Sequence, residues 1–368
     1  MALFAADRAR LAEIEAERCI LRQKLDSYIY PILQLPNELT ANIFMLYLPP
    51  YPEPPPLAGP GSPTTLAQVC RQWRRIALGL SALWSTIPLD DWESSAAGVS
   101  CWIERSGARP LSLHVVDHGV EGMTDDLTNV ILSASGRWEH VEFHTWQYDG
   151  TLEGTFPLLR SIEIRAQQPG VWQIGIGPPA SVNADRKPQC DAPKLRSAIL
   201  WDFHIPINLL PWRQLTALVL ICHEPTFCAA ILKQTPNLVY CELLAVDGAL
   251  PDDDIILPHL HTLVLTEYDL NMDDIAISFL GKFITPALRQ LRVLSQYLLP
   301  NPVDVLRCFV DRTGCKKLEV HVLGEPIDFW ADWPSTISII SVPQKCYWTH
   351  AGVADRSREI LTDFAYKE

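Results

Sequence analysis

The chain has no C-x-x-C pair, although it holds 10 cysteines in 368 residues. That spacing excludes a zinc knuckle. Several cysteines sit in apolar runs, as Cys222 does after Leu218-Val219-Leu220-Ile221, where a thiol behaves as a small hydrophobe. N-x-[ST] acceptors are missing, and no apolar run approaches the roughly 18 residues that span a bilayer. Asp7, Arg8 and Arg10 stand where a secretory signal needs its apolar centre. These absences point to a reduced compartment, cytoplasm or nucleus, and to no membrane partner.

The motifs of catalysis are missing too. No G-x-S-x-G, H-E-x-x-H or P-loop occurs, and the glycines at 170, 175 and 177 lack the G-x-G-x-x-G order. His114 and His118 are four apart in a strand-like stretch, which separates them by about 13 Å, too far to share a metal. Asp252-Asp253-Asp254 reads as a solvated turn rather than a cation site. The expectation is a protein with no catalytic residues, no cofactor and no metal.

Charge is unevenly spread. Of 43 acids and 30 bases, residues 1–84 hold seven and eight, leaving 36 and 22 for residues 85–368. A body that acidic repels phosphate, so nucleic acid is not the expected ligand. Apolar residues are nonetheless 48% of the chain, enough for a sizeable core.

Residues 1–29 read as one helix. Phe4, Leu11, Arg18 and Leu25 share one heptad position, with Asp7, Ile14 and Leu21 on the next. A short coiled coil and an amphipathic helix packed on its neighbours both remain open. Residues 30–48 and 64–84 are helical by pattern. Pro36 suits a first turn, with Glu38 close behind it near the positive end of the dipole. Leu39, Ile43 and Leu46 follow at spacings of four and three. Prolines at 49–63 cannot continue a helix, and a spacer is the expected role rather than a polyproline ligand.

The order Leu35-Pro36, Leu39, Ile43, then Val69-Cys70-Arg71-Gln72-Trp73 and Trp84 resembles an F-box. That resemblance covers about residues 30–90, with the proline-rich stretch as an insertion. It implies that Leu35, Pro36, Leu39, Ile43, Val69, Cys70, Trp73 and Trp84 form the surface for a Skp adaptor, and through it a cullin. The layout is similar to the expanded F-box families of mushroom-forming fungi.

From residue 108 a degenerate pattern recurs: apolar, two residues, apolar, one residue, apolar. It stands at Leu159-Ile162-Ile164, Leu195-Ala198-Leu200, Leu215-Leu218-Leu220, Leu238-Cys241-Leu243, Leu260-Leu263-Leu265 and Leu288-Leu291-Val293. Weaker copies stand at Ala108-Leu111-Leu113, Trp138-Val141-Phe143, Cys315-Leu318-Val320 and Ile337-Ile340-Val342. Most spacings fall within the roughly 20–29 residues of leucine-rich repeats. Short helical patterns lie between copies: Leu127-Val130-Ile131 after Thr124, Ile275-Phe279-Phe283, and Val305-Leu306-Phe309 after Asn301-Pro302. The repeat's usual Asn or Cys is replaced by Phe203, His223, Val246 and Tyr268, which predicts an irregular array. A last capping helix is expected near Arg356–Phe364.

The expected architecture is therefore α/β. An N-terminal helical module precedes an irregular leucine-rich-repeat-like solenoid over residues 91–368, which buries its strand and helix faces by stacking. The expected function is the substrate-recognition subunit of a Skp–cullin–F-box ubiquitin ligase, itself non-catalytic. Trp172 and Trp201 are candidate contacts for an unidentified target protein, since tryptophan concentrates at binding hot spots. The alternative is a leucine-rich-repeat scaffold that binds proteins outside the ubiquitin pathway.

Overall fold

The structure is a computed structural model. It describes residues 4–28, 30–90, 94–117, 123–145, 152–166, 189–201, 207–223, 225–245, 253–267, 279–298, 301–315, 317–323 and 337–342. Trp172, His118, Ile275, Asp252 and the expected C-terminal helix lie outside the described residues. The chain forms two compact units. One is Met1–Pro50 with Pro55–Trp84, and the other is Tyr51–Pro54 with Ser85–Glu368. The compact units divide after Trp84. Residues 1–29 are not a unit of their own, and part of the proline-rich insertion belongs with the second unit.

The first unit is helical. Its elements are α1 (Ala5–Ser27), α2 (Asn37–Tyr47), α3 (Pro63–Val69) and α4 (Arg71–Gly79), with single 3-10 turns at Pro31–Gln34 and Ser81–Trp84. Pro36 stands just before α2 rather than inside its first turn. Ser62 starts α3 by accepting from the Thr64 N–H, and Pro63 opens the helix without losing a needed donor.

The second unit is a parallel sheet of eleven strands whose spatial order is their order in the chain. They are β1 (Thr86–Asp90), β2 (Leu111–Val116), β3 (Trp138–Thr145), β4 (Ser161–Ala166), β5 (Ser197–Trp201) and β6 (Ala217–His223). Then come β7 (Tyr240–Ala245), β8 (Thr262–Glu267), β9 (Gln290–Leu294), β10 (Leu318–Leu323) and β11 (Ile337–Val342). Every neighbouring pair runs parallel. Between strands lie α5 (Ala96–Arg105), α6 (Asp125–Ser133), α7 (Pro225–Leu232) and α8 (Pro302–Thr313). Thr124 caps α6 by accepting from Leu127 N–H, and Gly314 ends α8 at φ +68°.

The repeated apolar pairs explain the register. Val141, Ile162, Ala198, Leu218, Cys241, Leu263 and Leu291 form one row of partners, and Phe143, Ile164, Leu200, Leu220, Leu243, Leu265 and Val293 form the next. All are buried. A one-residue slip would turn each of these side chains to the opposite face, so burial locks the pairing.

The outer copies depart from this register. Leu113 pairs with Val141, and Val320 with Leu291, so both copies sit two residues out on the same face. At the last strand Ile339, not Ile340, partners Val320, and Ile340 is exposed. Ile339 and Ile340 stand side by side in the strand, so spacing alone could not choose between them. Phe283 is also not helical. It forms a two-residue parallel strand with Ile284 against Ile255–Ile256.

The thiols behave as hydrophobes. Cys190, Cys228 and Cys241 are buried, and burial pushes the Cys190 thiol up to about 12. No described helix is long and apolar enough to cross a membrane.

Candidate functional site

In the first unit, α2 has two contrasting faces. Thr40 and Phe44 point inward. The Thr40 hydroxyl donates to the Pro36 carbonyl at 3.2 Å, and the Phe44 ring meets Trp73 edge-on at 5.0 Å. Leu66, Ala77 and Leu83 are buried in the same unit. On the remaining positions of α2, Leu39 is 50% exposed, Ile43 44% and Leu46 85%. A stripe of large aliphatics held in water at i, i+4, i+7 is the face a partner covers.

The other expected contact residues divide. Pro36 and Val69 are exposed, while Leu35, Cys70 and Trp73 are half-buried. Cys70 joins α3 to α4, and its Sγ accepts from the Trp73 N–H at 3.5 Å. Trp84 does not belong on the contact surface. It is fully buried, and its indole N–H donates to the Ala77 carbonyl at 2.8 Å. Its size and its single donor suit it to closing the core. Ile32, Met45 and Leu46 are exposed apolar neighbours that the motif match overlooked. The four-and-three spacing after Leu39 was the signal for Leu46.

The proline-rich insertion is structured at both of its ends. The Gly61 N–H donates to the Tyr47 hydroxyl at 2.7 Å, and Gly61 adopts φ +86°, a region that side chains disfavour. Within the second unit, the Tyr51 hydroxyl donates to Glu139 at 2.9 Å. The Pro52 carbonyl accepts from Ser112 at 3.0 Å and lies 2.9 Å from His114 Nε2. This segment is therefore more than a spacer.

Strand alternation gathers a second group on the sheet face opposite the repeated aliphatics. His114, Glu142 and Glu163 lie in one row of partners, with His144, Arg165 and Trp201 in the next. His114 Nδ1 lies 2.8 Å from Glu142. Arg165 pairs with Glu163 and stacks over the Trp201 ring at 4.6 Å. His144 Nε2 is 2.6 Å from Glu142 without the alignment of a hydrogen bond. Burial pushes the His140 imidazole down to about 4, helped by Arg160 and His114. Burial does the same to His144, also to about 4, helped by Arg165 and His114. The nearby carboxylate would raise His144, but loss of water outweighs it, and we read this imidazole as neutral.

Glu142, His144 and Glu163 bring their ligand atoms within 4.8 Å of one another, a spacing that could hold a cation. Each carboxylate already has a partner, however: Glu142 has His114 and Glu163 has Arg165. The group is a polar network of paired side chains, although Arg165 Nη2 and the Trp201 indole nitrogen have no hydrogen-bond partner among the described residues. These residues lie between the aliphatics of the repeat, where only alternation could have revealed them. Trp201 is the half-buried last residue of β5.

A family model described as F-box-like matches residues 32–89. No curated protein matches the chain. Residues 32–89 are thus an F-box-like domain, and the match takes in the first four residues of β1. Domains of this kind bind a Skp adaptor, and the exposed aliphatics of α2 lie inside the matched span.

Proposed function

We propose that this chain is the substrate-recognition subunit of a Skp–cullin–F-box ubiquitin ligase. One observation carries the reading: an F-box-like domain whose α2 keeps Leu39, Ile43 and Leu46 in solvent. A helical module this small cannot cover its own aliphatics, and an adaptor helix would do so. The contact set is Leu35, Pro36, Leu39, Ile43, Leu46 and Val69, with Cys70 and Trp73 shaping it from below.

The sheet unit is then the receptor for a target protein, as an irregular leucine-rich-repeat array. Seven copies sharing one register support that assignment. Trp201 under Arg165 is a candidate target contact, and Trp172 remains one from the sequence. The chain contributes no chemistry. It raises the target's effective concentration beside a conjugating enzyme brought by the cullin, in cytoplasm or nucleus.

The test is a reconstituted reaction with adaptor, cullin and charged conjugating enzyme. Wild type promotes ubiquitin transfer to a co-purifying protein, and Leu39→Asp abolishes it while the melting curve is unchanged. Transfer at the wild-type rate by Leu39→Asp would sink the proposal.

A further inference from the structure

Helix α1 runs 23 residues, about 35 Å at the helical rise. Every side chain described along it is exposed, including Leu11 at 61%, Ile14, Leu21 and Leu25 at 73%. The reading in which this helix packs on its neighbours is therefore not realised. Its aliphatics lie on one seam: Phe4, Leu11, Arg18 and Leu25 at heptad position a, and Asp7, Ile14 and Leu21 at d. An isolated helix in water gains nothing from such a seam.

The flanking charges say what would cover it. Position e carries Arg8, Glu15 and Arg22, and position g carries Arg10, Glu17 and Lys24. In a parallel pair of identical helices, each g residue faces the e residue five further along the other helix. Arg10 then meets Glu15, and Glu17 meets Arg22, both of opposite charge. In an antiparallel pair, like flanks meet. With the two seams aligned over their full length, Arg8 then meets Arg22, Arg10 meets Lys24, and Glu15 and Glu17 each meet themselves, so every contact is repulsive. A pair slipped by one heptad brings opposite charges together but leaves one end of the seam uncovered. Arg18 in the seam has Glu17 of the other helix beside it in the parallel arrangement. Polar a positions cost stability and restrict the number of strands.

We propose that α1 forms a parallel two-stranded coiled coil with α1 of a second copy of this chain. Asp7 and Arg18 weaken the seam, so the dimer is reversible. The proposal does not rest on the ligase assignment.

Sedimentation of the full chain across a concentration series tests it. The mass moves from the monomer's 41.4 kDa towards twice that value. Ile14→Asp holds it at the monomer. Arg10→Glu and Glu15→Arg each weaken association at least about tenfold, since each replaces symmetry-related attractions by repulsions. An equimolar mixture of these two variants restores the dimer, because opposite charges again face one another. A wild type that stays monomeric throughout overturns the proposal. So does association that ignores both charge changes, an Arg10→Glu variant that dimerises more tightly, as a full-length antiparallel pair would, or a mixture of the two variants that stays dissociated, as a slipped antiparallel pair would.

Discussion

The Phe44 and Trp73 rings meet at 5.0 Å with an interplanar angle of 63°. This contact ties the inner face of α2 to α4 and leaves Leu39, Ile43 and Leu46 facing outward. The two faces should respond differently to substitution. Phe44→Ala removes a fully buried ring and should cost about 3–5 kcal/mol. In a scanning calorimeter it lowers or abolishes the transition of the helical unit. Leu39→Asp should leave that transition within about 0.5 kcal/mol of wild type.

Trp84 tests the distinction between core and contact surface. Trp84→Phe keeps most of the buried ring but deletes the donor to the Ala77 carbonyl. That carbonyl still accepts from the Leu80 N–H, so the cost should be about 1 kcal/mol. Adaptor affinity should be unchanged. A variant that folds as well as wild type yet loses the adaptor would return Trp84 to the surface.

His140 and His144 give the sheet unit a pH dependence. Both are held near 4 when folded, against an ordinary value of 6.5. Between these limits the unfolded chain binds more protons, so stability rises with pH there. The stabilisation is fully present above about 6.5 and is lost as pH falls towards 4, by up to roughly 3 kcal/mol for each imidazole. Melting curves of wild type and His140→Gln from pH 7 to pH 4.5 check this. The variant's curve should be flatter, and parallel curves would contradict the assignment.

His114 stands between Glu142 and the Pro52 carbonyl. His114→Ala should cost about 1–3 kcal/mol, because a carboxylate that is nearly buried loses a donor. Amide exchange at Tyr51 and Glu53 should speed up in the same variant. Unchanged exchange would mean that Ser112 and Glu139 hold the segment unaided.

The sequence made the helices and the central strands legible for different reasons. Leu39, Ile43 and Leu46 show a helical period, and Ser62-Pro63 and Thr124 are local start signals. Seven strands share one spacing because each must bury the same two positions against its neighbours. Leu113 and Val320 sit two residues out because alternation in their strands permits a two-residue shift without changing face, and Ile339 and Ile340 stand side by side, so only the neighbouring strand selects the register. The polar group around Glu142 was hidden because its members come from β2, β3, β4 and β5. Trp84 matched a motif but serves the core, since a pattern of residue types does not say which way a side chain points.

The most direct test is the affinity of the purified chain for a Skp adaptor, comparing wild type, Leu39→Asp and Leu132→Asp. Leu132 is half-exposed in α6 of the sheet unit, so it controls for adding charge to an exposed leucine. Wild type and Leu132→Asp should bind equally. Leu39→Asp should bind at least about 30-fold more weakly, the loss expected of a hot-spot contact. Equal binding by all three variants would contradict an adaptor surface on α2.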